Sequence, residues 1–317
     1  MIKEPISIVF FGTHEFACTI LTGLIENPTF SVTGVITQTD KPVGRKKVLT
    51  PPPVKILAEK HGLVVHQPTS LKTFDVKQIP ADIYIVAQYG KIIPTSILNA
   101  PTHGILNVHT SLLPTYRGAT PIQSAILHGE KETGVTIMKM DAGLDTGDIL
   151  TQKTILIDPD ETYLDVDKKL AILGSALLGE TIPAYITGAI SPEKQDDSKA
   201  THCKQLSRED GKVDWGKDAE DIYNQYRAFT PWPGLWTTWN EKRLKLLSLR
   251  PYTEYTLGCG IVSIEDNRII VGTNTHTLEI FSLQLEGKKP MTAYEFIHGF
   301  SYIDGQLLGG NICKQQT

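Results

Sequence analysis

The sequence predicts an α/β fold, a doubly wound and mostly parallel sheet, followed by a small β-barrel. Two observations carry this: short β-branched runs alternate with helical patterns through the first half, and several short strands crowd the last hundred residues after a polar interruption. Strands are predicted over 6–11, 31–37, 64–66, 83–87, 105–109 and 135–140, with helical patterns over 15–26 and 54–61. The run 149–157 reads as an antiparallel edge. Over 163–186, Leu164, Leu170, Leu173, Leu177, Leu178 and Ile182 fall close to helical spacing, so a long helix closes the domain.

After Gly188 the stretch 191–199 has almost nothing to bury. The expected organisation is an α/β domain over 1–190, a linker over 191–207 and a C-terminal domain over 208–317. In the last part, a helical patch over 218–229 precedes strands at 244–249, 260–264, 268–271 and 278–283, a pattern that suits an oligonucleotide-binding type of barrel.

With 317 residues, 40% hydrophobic and 21% charged, the chain has the composition of a globular protein of two domains. No apolar run approaches the roughly 18 residues that span a bilayer, so no membrane contact is expected. Residues 1–5 lead directly into an apolar strand without the features of a secretory signal, which points to the cytoplasm. Cys18, Cys203, Cys259 and Cys313 stand far apart with no metal-ligand spacing, so unpaired thiols and no metal are expected. A net charge of −4 excludes indiscriminate coating of nucleic acid and leaves only a local basic patch for such contact.

In an open parallel sheet, ligands bind beyond the carboxyl ends of the strands. Two segments stand there. In Asn107-Val-His109-Thr-Ser111-Leu112-Leu113-Pro114-Thr-Tyr-Arg-Gly118, the period-two spacing turns Asn107 and His109 to one face. In the second, a strand from Gly134 leads into Asp141-Ala-Gly-Leu-Asp145-Thr-Gly-Asp148, where glycines allow close backbone approach and a carboxylate is delivered. The two segments thus offer an amide, an imidazole and a carboxylate at strand ends. Gly12-Thr-His-Glu-Phe lacks the further glycines of a dinucleotide site.

These two segments resemble those of the folate-dependent formyltransferases, which move a formyl group from 10-formyltetrahydrofolate to an amine. The resemblance implies a Rossmann-like catalytic domain with Asn107, His109 and Asp145 as the catalytic trio. It also implies a folate site lined by Ser111, Leu112, Leu113 and Pro114 and closed by Gln88, Tyr89, Gly90 and the loop that begins at Asp141. Thr110, His14-Glu15 and Gln88 depart from the residues usual in the family.

Members of the family formylate a purine precursor, amino sugars on nucleotides, or methionyl-tRNA. Between residues 40 and 55, five basic side chains face one acid in a proline-braced loop. That loop is similar to the insertion of the tRNA-acting members, with Arg45 at the position of the key arginine and Lys46 and Lys47 beside it. The segments 121–123, 138–147 and 229–234 are similar to the same branch, so the resemblance covers nearly the full length. It implies initiator methionyl-tRNA and folate as partners of a monomer, with an amino sugar on a nucleotide as the alternative acceptor. Lys242, Arg243, Lys245, Lys288 and Lys289 are candidate phosphate contacts, although 208–317 holds 12 basic against 14 acidic residues.

Overall fold

The computed structural model describes residues 4–44, 46–252 and 256–310. The chain divides into two compact units. The first holds the chain up to Pro121, then Glu132–Leu156 and Asp165–Cys203; the second holds Ile122–Lys131, Ile157–Leu164 and the chain from Lys204 onward.

The elements through residue 203 are β1 (Ile6–Gly12), α1 (Glu15–Glu26), β2 (Phe30–Ile36), β3 (Lys41–Val43), β4 (Val48–Thr50), α2 (Pro53–Lys60), β5 (Val65–His66), β6 (Ile83–Ala87), α3 (Thr95–Leu98), β7 (Ile105–His109), β8 (Arg117–Gly118), α4 (Pro121–Leu127), β9 (Glu132–Lys139), β10 (Ile149–Leu156), α5 (Tyr163–Ile186) and β11 (His202–Cys203). Seven strands form one sheet in the order β10-β9-β7-β6-β1-β2-β5. It is parallel from β7 to β5, while β9 runs antiparallel to β7 and β10 antiparallel to β9. The expected mixed sheet is present, with the edge strand where the sequence put it.

Burial explains the strand sequences. Ile8, Val9, Phe10 and Phe11 are all fully buried, as a parallel strand covered on both faces requires. Helix α1 buries Phe16, Ala17, Ile20, Leu21 and Leu24, a stripe at three- and four-residue spacing. Helix α5 takes the bounds that its apolar spacing predicts and buries Leu170, Leu177, Leu178 and Ile182.

The stretch expected to be a linker is not a bare connection, because its residues up to Cys203 belong to the first unit. Glu193 bridges to Ile149, β11 pairs in parallel with β8, and Gln195 hydrogen-bonds to Arg117. Its polar side chains satisfy a buried cation, so a lack of apolar residues did not mean a lack of contacts.

The second unit contains α6 (Ala219–Phe229), β12 (Leu235–Trp239), β13 (Lys242–Tyr252), β14 (Val262–Glu265), β15 (Arg268–Gly272), β16 (Thr277–Leu285), β17 (Met291–Thr292) and α7 (Ala293–Phe300). Its antiparallel sheet runs β12-β13-β16-β15-β14, with β17 on β16. A capping box between Thr292 and Glu295 starts α7. No helix among the described residues is long and apolar enough to cross a membrane. Cys18, Cys203 and Cys259 are free thiols, and Cys313 lies outside the described residues.

Candidate active site

Asn107 and His109 stand on β7, opposite Met138 and Thr136 of β9. His109 is buried, and its Nε2 lies 3.1 Å from the Tyr116 carbonyl. A carbonyl only accepts, so this nitrogen carries the proton and the ring is oriented by the turn that follows its own strand. The other nitrogen, Nδ1, faces Asp145 Oδ1 at 3.7 Å. The second oxygen of Asp145 accepts the Gly118 amide at 2.8 Å. One carboxylate thus joins the imidazole to the backbone of β8.

Asp145 holds a left-handed backbone, φ +54°, a conformation that a non-glycine residue keeps only under outside constraint. The constraint is Gln195, whose Nε2 donates to the carbonyls of Asp145 and Gly147 at 2.8 and 2.7 Å. Gln195 in turn accepts from Arg117 Nε and Nη2 at 3.0 and 2.8 Å, and Arg117 Nη2 also reaches Asp197 at 2.7 Å. Arg117 is buried, so these acceptors replace the water it has lost. Gly147 lies against the backbone of Lys139, whose oxygen would sit 1.9 Å from an added Cβ.

No hydrogen bond to the chain holds the Asn107 side chain among the described residues, and it is only partly buried. An amide at a strand end with its donors unspent is available to a ligand.

The turn 111–114 is fastened from below. Ser111 Oγ donates to the Thr115 carbonyl at 2.6 Å, Thr136 Oγ1 donates to the Ser111 carbonyl at 2.6 Å, and the Leu113 amide donates to Thr136 Oγ1 at 3.1 Å. Ser111 and Leu113 are buried, whereas Leu112 and Pro114 are partly exposed. After β6, Tyr89 turns its ring into the core against Phe11, with centroids 5.6 Å apart. Burial pushes its phenol up to about 12. Of the expected folate-lining residues, Tyr89, Ser111 and Leu113 are therefore buried in the fold. Gln88 holds φ +42° and donates to Asp167 Oδ1 at 3.1 Å. Gly90 is exposed, and a Cβ there would come 2.7 Å from Gln38 Nε2. Asp141 spends its carboxylate on its own loop, accepting from the Gly143 amide at 3.0 Å and Thr146 Oγ1 at 2.7 Å.

The basic loop is a hairpin of β3 and β4. Lys46 and Lys47 are exposed at its turn, and Arg45 lies outside the described residues. At its root, Lys41 Nζ donates to Gln38 Oε1 at 2.6 Å and Gln38 Nε2 donates to the Tyr89 carbonyl at 2.7 Å. A single glutamine ties the hairpin to the loop after β6.

The structure brings His109 and Asp145 to 3.7 Å, and Tyr116, Gly118, Arg117 and Gln195, which no sequence signal singled out, hold them. Arg117 was visible as a cation beside the motif. Its partner, 78 residues away, left no local signal.

Residues 6–182 match the family model described as formyl transferase, and residues 205–301 match that of the formyl transferase C-terminal domain. A methionyl-tRNA formyltransferase of Geobacter metallireducens is 43% identical over 308 residues, covering 96% of this chain and 99% of the relative. One from Caldicellulosiruptor saccharolyticus is 44% identical over 310 residues, covering 95% and 99%. In overall fold, the chain is similar to an N-formyltransferase from Helicobacter canadensis solved with folinic acid and dTDP-3-aminofucose, with a TM-score of 0.65 at 21% identity, covering 87% of this chain and 98% of that one. On its two matched domains and its near full-length likeness to these relatives, the chain belongs to the formyltransferase family.

Proposed function

We propose that the chain transfers the formyl group of 10-formyltetrahydrofolate to the amino group of methionine on initiator methionyl-tRNA, giving formylmethionyl-tRNA for translation initiation. The observation that carries this reading is the His109–Asp145 pair beside an unspent Asn107 amide, in a chain more than 40% identical to methionyl-tRNA formyltransferases over nearly its full length.

The amine attacks the formyl carbon, an oxyanion develops on the formyl oxygen, and the amine must lose a proton. Asn107 donates to the oxyanion, and one such donor is typically worth about 10²–10³ in rate. His109 supplies the nearby cationic or polar ring, oriented by Tyr116. Asp145 stabilises charge on that ring across 3.7 Å and receives the amine proton directly or through water. The bond from the formyl carbon to the folate nitrogen then breaks, and that nitrogen is reprotonated.

The loop residues fit a flat, partly apolar co-substrate. Ile92, on the loop after β6, and Leu144, next to Asp145 in its own loop, are 93% and 64% exposed. Apolar side chains left in water in this way suit an aromatic ligand. Arg45, Lys46 and Lys47 are the proposed tRNA contacts, because the basic run carries them and Lys46 and Lys47 stand exposed at the turn of a hairpin joined through Gln38 to the loop after β6.

The test combines the purified protein and 10-formyltetrahydrofolate with methionyl-tRNA in one arm and a dTDP-linked amino sugar in another. Formylmethionine in the first arm only is the expected result. Formylation of the sugar with the tRNA untouched would overturn the assignment.

A further inference from the structure

The second unit carries an open cavity of about 440 Å³, within the range of small-molecule sites. Three pieces of chain wall it: Asp160 from the segment 157–164, Tyr223 and Tyr226 from α6, and Ser248, Arg250 and Phe281 from β13 and β16.

The sheet is deformed at this place. Along β13 the inward residues are Leu244 and Leu246, and the next is Leu249, three positions on instead of two. Leu246 pairs with Leu283, Ser248 with Ser282 and Leu249 with Ile280, so Phe281 is skipped in the ladder. Irregularities of this kind re-aim side chains and recur beside binding sites. Here the guanidinium of Arg250 lies over the Phe281 ring, 5.1 Å from its centroid.

The opposite wall is a pair of fixed rings. Tyr223 and Tyr226 stack with centroids 6.0 Å apart and planes 22° from parallel. Tyr223 donates its hydroxyl to Asp160 Oδ1 at 2.7 Å, and Tyr226 donates to the Leu247 carbonyl at 3.3 Å. Burial, followed by the Asp160 hydrogen bond, pushes the Tyr223 phenol up to about 12, so it remains a neutral donor.

Aromatic faces accept any base, a guanidinium takes phosphate, and a carboxylate accepts from an exocyclic amino group. All three occur around one cavity, the rings and the guanidinium on α6, β13 and β16 and the carboxylate on the turn before α5. We infer that this cavity is a nucleotide-binding subsite, with the base against Tyr226 and Phe281 and the phosphate toward Arg250. The ligand is a free nucleotide or an unpaired nucleotide of RNA, and the recognising chemistry is the same for both. Only the RNA source rests on the proposed function.

Full-length protein titrated calorimetrically with cytidine, CMP, AMP and a single-stranded tetranucleotide of RNA tests the inference. CMP and AMP should bind, and Tyr226→Ala should weaken both by roughly tenfold, the usual scale for losing one stacking face. Arg250→Ala should weaken CMP binding but not cytidine binding, and Arg250→Lys should recover part of the loss. Arg250 is exposed, so its replacement keeps the fold, and equal melting temperatures check this. Tighter binding of the tetranucleotide than of CMP, with a raised KM for methionyl-tRNA in both variants, assigns the site to RNA; an unchanged KM assigns it to a free nucleotide. Absence of binding to every probe, or variants that bind like the wild type, would overturn the inference. Nucleotide binding without formylation of methionyl-tRNA would overturn the proposed function alone.

Discussion

Gln195 donates to the Asp145 carbonyl at 2.8 Å while its own oxygen accepts two hydrogen bonds from Arg117. It links a buried cation to the loop that carries the proposed carboxylate. Gln195→Ala leaves Arg117 with Asp197 and strips the donor from two carbonyls. Stability should fall by about 1–3 kcal/mol, the cost of buried polar groups left unpaired. Turnover should fall roughly tenfold as Asp145 loses its position. Thermal unfolding and single-turnover rates measure the two effects. Lost stability with unchanged turnover would leave Gln195 as a brace without influence on the chemistry.

Asp145→Asn preserves the shape and the acceptor for the Gly118 amide but removes the charge facing His109. Turnover should drop by about 10²–10⁴, the usual worth of a positioned acid or base, with the folate dissociation constant unchanged. Stopped assays and folate titration on one preparation check this. Near wild-type turnover would remove Asp145 from the mechanism.

At Gly118, φ is +123° and an added Cβ would lie 2.2 Å from the Cys203 carbonyl oxygen. Backbone cannot yield as a flexible side chain can. Gly118→Ala should therefore push β8 and β11 apart, shift the amide that holds Asp145, and cost about 1–3 kcal/mol. Hydrogen exchange at the Gly118 position should quicken along with the loss of activity. A fully active variant with wild-type stability would show that β11 gives way freely.

Arg45→Ala is expected to depress kcat/KM for methionyl-tRNA by roughly ten- to a hundredfold, the scale of a lost contact that reads a base, with folate binding unaltered. Salt should blunt the difference only in part, because orientation survives screening. Normal formylation by this variant would make the hairpin a plain solvated turn.

Periodicity made the sheet and α5 legible, because Leu170, Leu177 and Leu178 repeat at helical spacing and strands such as β6 are continuously apolar. Helix α7 escaped that reading although its capping box, Thr292 with Glu295, was written in the sequence. Strand β12 escaped as well. It is joined to β13 by Asn240 and Glu241, both at positive φ, and glutamate is a weak turn signal. In the candidate site, strand ends and motifs pointed to the proposed trio of Asn107, His109 and Asp145. Their supports were not, because hydrogen bonds such as Arg117 to Gln195 depend on chain folding back across 78 residues.

The residues 122–131 and 157–164 belong to the second unit although β9 and β10, between them, belong to the first. A ribosome therefore delivers pieces of the later unit before the earlier one is finished, and those pieces wait until synthesis reaches Ala219 for α6 and the sheet that follows it. Grafting a foreign tail after Cys203 would keep these two inserts matched to a barrel that is no longer there. Exchange of the C-terminal half between relatives must then carry three separated stretches of sequence together, which ties the inheritance of the two halves far more closely than a single crossover point would.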